Sequence, residues 1–254
     1  VIPLRQYLSG GVGMKYVGSK NRLSKDLAPI IQKFIDDNDI THYWEPMCGG
    51  ANMIDKIQCP NKFGSDIHPY LIALLKQAQV DTSVFPSTIS EEEYKSVRAN
   101  PQNYPDWYVG LVGFCASYNG KWWGGYANGV KTKVGTIRNY TDESIRNLVK
   151  QASNLKDIKF NCCSFEQSAK VSNFVIYCDI PYRSSTKYAT DDFLYERFYD
   201  WAREMSKDNI VLVSEYWMPD DFECIWSKTL KCTLDKNSRT NKVEKLFKWK
   251  GDLI

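Results

Sequence analysis

The chain has 254 residues, 43% of them hydrophobic and 25% charged, with a formal net charge of +3. This composition is that of an ordinary soluble globular protein, and the length allows one large domain or a domain with a sizeable insertion. No apolar run reaches the roughly 18 residues of a membrane-crossing helix, and two histidines, His42 and His68, with no Cys-x-x-Cys pair speak against a zinc site.

Residues 1–13 lack the tripartite order of a signal peptide and read as a leader or tag ahead of Met14. Leu23, Leu27, Ile30, Ile31, Phe34 and Ile35 then recur at helical spacing, predicting a helix over 19–37 that Pro29 bends or restarts. Ahead of it stands Lys15-Tyr16-Val17-Gly18-Ser19-Lys20, a glycine turn with an aromatic and two lysines. A helix end of that kind holds anions through free backbone N–H groups, or is simply a cap.

Residues 42–44 read as a short strand ending in Glu45-Pro46-Met47-Cys48-Gly49-Gly50-Ala51-Asn52, with a helical run expected to residue 57. The paired glycines let backbone approach a ligand closely. Neither a Walker loop nor a full Gly-x-Gly-x-x-Gly pattern is present. A second strand, 62–65, closes on Asp66, where an acid can hydrogen-bond the ribose of an adenosine-containing cofactor. A helix over 69–78 follows. Glu45 and Asp66 around a Gly-Gly loop make a nucleoside-binding pattern.

The alternation breaks over 80–140, which reads as an inserted, partly helical second domain between the two parts of the main domain, 1–79 and 141–254. Its tract from Phe114 to Tyr126 sets Trp122 and Trp123 beside Lys121, between glycines. Such rings suit stacking on nucleobases, or they form the small core of the insertion. Between 107 and 141 stand Lys121, Lys131, Lys133 and Arg138 and no acid; from 225 onward eight Lys/Arg face three acids. These clusters are the footprint of a polyanionic partner or a solvated face.

The α/β pattern resumes with a helix over 141–155 capped by Thr141, a strand at 158–162, then Ser164-Phe165. The apolar run 174–178 reads as a buried parallel strand ending in Asp179-Ile180-Pro181-Tyr182. At a strand's carboxyl end this tetrapeptide is either a turn or a site: a carboxylate and a carbonyl to accept hydrogen bonds, and a ring to stack on a planar base. Residues 183–189 are expected to form a mobile loop, Thr190 to cap a helix to 205, and 210–213 to be another buried strand. Closing strands are expected at 222–226, 229–234 and 243–249, two of them antiparallel. The eight cysteines read as buried free thiols of a reducing compartment.

Four of these elements together resemble the Dam-like, D12 class adenine DNA methyltransferases. They are Lys15-Tyr16-Val17-Gly18-Ser19-Lys20, Glu45-Pro46-Met47-Cys48-Gly49-Gly50, Ser65-Asp66-Ile67-His68-Pro69 and Asp179-Ile180-Pro181-Tyr182, in the family's order. The resemblance implies a Rossmann-like α/β sheet binding S-adenosylmethionine, with a partly helical target-recognition insert. It implies methylation of the exocyclic N6 of a flipped adenine in double-stranded DNA, with no need of a metal. Tyr16, Lys20, Glu45, Pro46, Cys48, Gly49, Gly50, Asp66, Phe165 and Asp179 would hold the cofactor, Asp66 at the ribose and Phe165 beside the adenine. Asp179, Ile180, Pro181 and Tyr182 would be catalytic, and Asn119, Lys121, Trp122, Lys131, Lys133 and Arg138 would meet DNA.

Ile180 departs from the family's Asp-Pro-Pro-Tyr; the backbone carbonyl remains, and the fixed φ of proline is lost. The alternatives are an RNA adenine or protein amide acceptor, or a catalytically silent DNA-binding relative. A carbon-5 cytosine enzyme would need a Pro-Cys nucleophile, and Cys48 follows Met47. The resemblance also implies a cytoplasmic setting in a bacterial or phage-infected cell, a cognate restriction endonuclease as a candidate partner, and a monomer or weak dimer.

Overall fold

The computed structural model describes residues 13–131, 135, 137–182, 193–230 and 242–251. A 3-10 turn, Lys20–Arg22, is capped by the Ser19 side chain and runs into α1 (Ser24–Asp37). The break in helical geometry falls at Leu23, and α1 continues unbroken through Pro29. β1 (His42–Glu45) leads into the glycine loop. Only a 3-10 turn, Ile54–Lys56, follows where a helical run was expected. The cause is local: Gly49 and Ala51 sit at φ +48° and +55°, which an α-helix cannot contain.

β2 (Asn61–Asp66) passes into α2 (Pro69–Val80). Pro69 opens α2, where no N–H is needed, and the His68 ring nitrogen accepts the Leu71 N–H at 3.3 Å. α3 (Glu91–Ala99), α4 (Asp106–Cys115) and a short hairpin, β3 (Val130–Lys131) with β4 (Ile137–Arg138), fall within 80–140, the segment read from sequence as an insertion. α4 packs directly on α2, and its Val109, Leu111, Val112 and Phe114 join the core of the main sheet. Gly110 permits the crossing: a Cβ there would lie 2.2 Å from the Tyr70 carbonyl oxygen.

α5 (Tyr140–Leu155) is capped by Asn139, whose side chain accepts from the Thr141 and Asp142 N–H groups, and not by Thr141, which is buried inside the first turn. β5 (Ile158–Cys162), β6 (Val175–Asp179), α6 (Tyr195–Ser206), β7 (Ile210–Glu215), β8 (Phe222–Leu230) and β9 (Lys242–Trp249) complete the chain. α6 begins at Tyr195 with Leu194 ahead of it. Thr190, the expected loop 183–189 and residues 231–234 lie outside the described residues. β8 is one strand with an irregularity between Cys224 and Trp226, where two strands were expected.

The seven-stranded sheet has the order β5-β2-β1-β6-β7-β9-β8. β5, β2, β1, β6 and β7 run parallel; β9 is antiparallel to β7 and β8. This is the Rossmann-like architecture that the resemblance implied, closed by an antiparallel hairpin. Val175 and Tyr177 of β6 face one core, with Leu27, Ile31, Leu71 and Leu148, while Ile176 and Cys178 face the other, with Phe198, Val211 and Phe247. Both faces are covered, which is why β6 reads as an unbroken apolar run.

The described cysteines are all free. Cys48, Cys115 and Cys178 are buried as expected, but Cys162 and Cys224 are exposed because β5 and β8 are the two sheet edges. Among the described residues no helix is long and apolar enough to cross a membrane.

Candidate active site

From β1 the chain winds outward through β2 and β5, then returns to place β6 on the other side of β1. Strand order reverses between β1 and β6, and in open α/β sheets the crevice at the carboxyl ends of such a pair is where ligands bind. A cavity of about 530 Å³ opens there. Every residue expected from sequence at a cofactor or catalytic position lines it: the 16–20 turn, the loop after β1, Asp66 ending β2, Phe165, and Asp179 through Tyr182 ending β6.

The floor is the Gly49-Gly50 loop, with the Tyr16 ring laid against it. A Cβ on Gly49 would stand 2.8 Å from a Tyr16 ring carbon, and one on Gly50 would stand 2.9 Å from Tyr16 Cβ. Glycine is therefore required by close approach, and at Gly49 by positive φ as well. Gln151, from α5, ties the loop down: its amide donates to the carbonyls of Gly50 and Ala51 at 3.2 and 3.1 Å and to Asp55, and its oxygen accepts the Met14 N–H at 2.8 Å. Sequence reading did not single out Gln151, which carries no local signal.

Asp66 accepts the Gly49 N–H at 3.1 Å on one carboxylate oxygen and the His68 N–H at 3.0 Å on the other. Burial pushes this carboxyl up, and the two N–H groups oppose that rise. The strand-end acid thus pins the glycine loop as well as facing the cavity. Glu45, 3% exposed, accepts the Tyr43 hydroxyl at 2.6 Å, and burial holds its carboxyl well above the usual range. The buried Cys48 thiol is likewise pushed up, away from the thiolate that nucleophilic attack would need.

At the end of β6 the Lys20 ammonium donates to Asp179 Oδ1 at 2.7 Å and lies 4.4 Å from the centre of the Tyr182 ring. Lys20 is 7% exposed, so charge and ring meet almost out of water. Burial pushes the Asp179 carboxyl up and Lys20 pulls it back. The Ile180 side chain is buried in the second core. Tyr195 donates to the Pro181 carbonyl at 2.8 Å, and the Tyr182 hydroxyl donates to Glu244 Oε2 at 2.7 Å. Phe165 lines the cavity while packing on Phe193, Phe198 and Trp201, held at a 3-10 turn by the Ser164–Gln167 capping box.

Asn119, Lys121, Trp122 and Arg138, expected to meet DNA, are not among the residues that line this cavity. Asn119 is exposed at φ +55° in a 3-10 turn whose Gly120 packs on the Lys15 carbonyl, beside the segment that supplies Tyr16. Lys121 is exposed. Trp122 is half-buried, stacked on Tyr70 at 5.6 Å and edge-on to His68 at 4.3 Å. Its ring packs on α2 and the residue that caps it, and on Phe114 of α4, so it ties the 80–140 segment to the main core, where neither sequence reading had put it. Arg138 is engaged by Glu143 through two hydrogen bonds of 2.6 and 2.8 Å. Lys131 stands on β3 with its side chain outside the described residues, as is all of Lys133. Among the described residues no cluster of His, Cys, Asp and Glu is arranged to hold a metal ion.

The family model of the D12 class N6 adenine-specific DNA methyltransferases matches residues 16–109. The match takes in Tyr16, Lys20, the glycine loop and Asp66, so the resemblance in the motifs is shown over that part of the chain. It ends before Asp179. No curated protein matches the chain. Among solved structures, that of SMU.472, described as a candidate methyltransferase complexed with SAH, aligns over 98% of this chain at 10% identity with a TM-score of 0.42. The chain spans 56% of that one's length, and so slight a likeness carries no argument here.

Proposed function

We propose that this protein transfers methyl from S-adenosylmethionine to the exocyclic N6 of an adenine flipped out of double-stranded DNA. The observation that carries the reading is one cavity holding both a glycine cradle with a ribose-type acid and, at the adjoining strand end, a carboxylate beside a ring. The residues fit the cofactor. Gly49 and Gly50 line the cavity with the Tyr16 ring packed where a Cβ would stand, Asp66 presents carboxylate oxygens to the same space, and Phe165 offers an apolar wall for an adenine. Glu45, Pro46, Cys48 and Tyr16 complete the wall. When bound, S-adenosylmethionine supplies a methyl group on a positively charged sulfur.

The chain's own residues do the rest. An adenine amino group is a weak nucleophile because its lone pair is delocalised into the ring. Asp179 and the Ile180 carbonyl accept its two N–H bonds, so charge developing on nitrogen meets dipoles already in place. Tyr182 offers the ring on which a flipped base stacks, for which unstacking costs a few kcal/mol. Asn119, Lys121 and Arg138 are the contacts for the duplex in this reading, which extends by sequence to Lys131 and Lys133. The test is incorporation of tritiated methyl from S-adenosylmethionine into unmethylated duplex DNA by the wild-type chain and by Asp179→Ala. Label recovered as N6-methyladenine and lost in the variant is the expected result. Label on RNA or protein instead, or cofactor binding without transfer, overturns it.

A further inference from the structure

The Tyr182 ring is constrained from three elements distant in sequence. Lys20 lies over its face, Tyr216 meets it edge-on at 4.4 Å and 65°, and its hydroxyl ends on Glu244, a carboxylate of β9 that is 7% exposed. Burial and the nearby carboxylates of Asp179 and Glu244 drive the Tyr182 phenol far up, so it remains a hydrogen-bond donor. A carboxylate facing inward from a closing antiparallel strand, where β9 pairs with β8 and β7, is costly unless it has partners. Glu244 has one in Tyr182, and the Tyr216 hydroxyl approaches its other oxygen at 3.5 Å.

We propose that Glu244 is a positioning residue for the Tyr182 ring, fixing the plane on which the target base stacks beside Asp179. The inference rests on the methyltransferase reading and extends it to a strand that no motif marks. The hydrogen bond anchors the far end of the side chain, so it limits how far the ring can swing about its Cα–Cβ bond. Losing it leaves cofactor contacts intact, because Glu244 lies outside the cavity lining. The cost falls on the fraction of bound substrate in reactive geometry, which is read in kcat.

The experiment measures kcat and KM on unmethylated duplex DNA, with S-adenosylhomocysteine affinity by calorimetry, for wild type, Glu244→Gln, Glu244→Ala, Tyr182→Phe and the Ala/Phe double variant. Glu244→Ala and Tyr182→Phe are each expected to lower kcat roughly tenfold, as loss of one charge-assisted hydrogen bond does. Cofactor-product affinity stays within about twofold, and the double variant is no worse than either single one. Glu244→Gln, which still offers an acceptor oxygen, restores most of the rate. Losses that multiply in the double variant, or a Glu244→Ala rate equal to wild type, overturn the positioning role alone. A wild-type chain that transfers no methyl to DNA removes the methyltransferase reading and this inference with it.

Discussion

Lys20 Nζ lies 2.7 Å from Asp179 Oδ1, joining the turn before α1 to the end of β6 across 159 positions of sequence. Motif reading placed these two residues at one site without pairing them. The pairing matters because an ionised Asp179 is a stronger acceptor for an N–H bond than a protonated one. Burial works against ionisation, and the Lys20 ammonium opposes that effect.

Replacing Lys20 by methionine removes that opposition. The Asp179 carboxyl then moves further above the usual carboxylate range, and the ionised form is reached only at higher pH. The acid limb of the kcat/KM profile for methyl transfer is expected to shift to higher pH in Lys20→Met. An acid limb that stays in place would uncouple the two residues.

His68 gives a second pH dependence, in stability. Burial pushes its imidazole down to about 4 from an ordinary value near 6.5. Its ring nitrogen caps α2 by accepting the Leu71 N–H, which protonation forbids. Because the folded value is depressed, the stabilisation is fully present above about 6.5 and is lost as pH falls toward 4. His68→Asn keeps a cap acceptor without that titration, so its melting temperature should fall less than wild type's between pH 7 and 4. Parallel slopes for the two proteins would defeat this account.

Glu143 sits between Arg138 and Lys15, and Arg138 leads in holding its carboxyl down at about 2. The contribution is present above the unfolded value near 4.5 and lost as pH falls through 2. The group is a quarter exposed, so the effect is small. Glu143→Gln should melt roughly 1–3 °C below wild type near neutrality, with the gap closing by pH 2. Thermal melts across that range check it, and a gap independent of pH counts against it.

Gly49→Ala places a Cβ 2.8 Å from the Tyr16 ring at a residue held at φ +48°. The left-handed conformation alone disfavours alanine by about 1–2 kcal/mol. We expect S-adenosylhomocysteine to bind roughly tenfold more weakly or worse, because the loop must reshape to relieve both strains. Calorimetry is the measurement, and unchanged affinity would put the cofactor elsewhere.

Much of this site was legible because its parts are local. Glu45 through Asn52 is a strand end, a glycine pair and a loop in eight consecutive residues. Asp66 closes the next strand, and Asp179 through Tyr182 interrupts an apolar run with an acid, a proline and a ring. Each carries its chemistry in adjacent positions, so spacing reveals it. Gln151 and Glu244 were not legible. One is a glutamine on an amphipathic helix, the other an acid on a strand rich in lysine, and each acquires its role only from a partner about 100 or 62 positions away. Trp122 shows the opposite difficulty: two tryptophans beside a lysine look the same in sequence whether they stack on bases or on Tyr70.

The sequence by itself determined most of the elements, their order and the residue types offered at the carboxyl ends of the strands. Apolar periodicity and turn residues act over a few positions, and backbone geometry converts them directly into strands and helices. Tertiary structure decided the pairings. It set β6 beside β1, brought Lys20 onto Asp179, turned Asn139 and not Thr141 into the cap of α5, and folded Glu244 of the closing hairpin onto Tyr182. Those contacts depend on register and on which buried polar groups find partners, and burial energy depends on the whole fold rather than on neighbours in the chain.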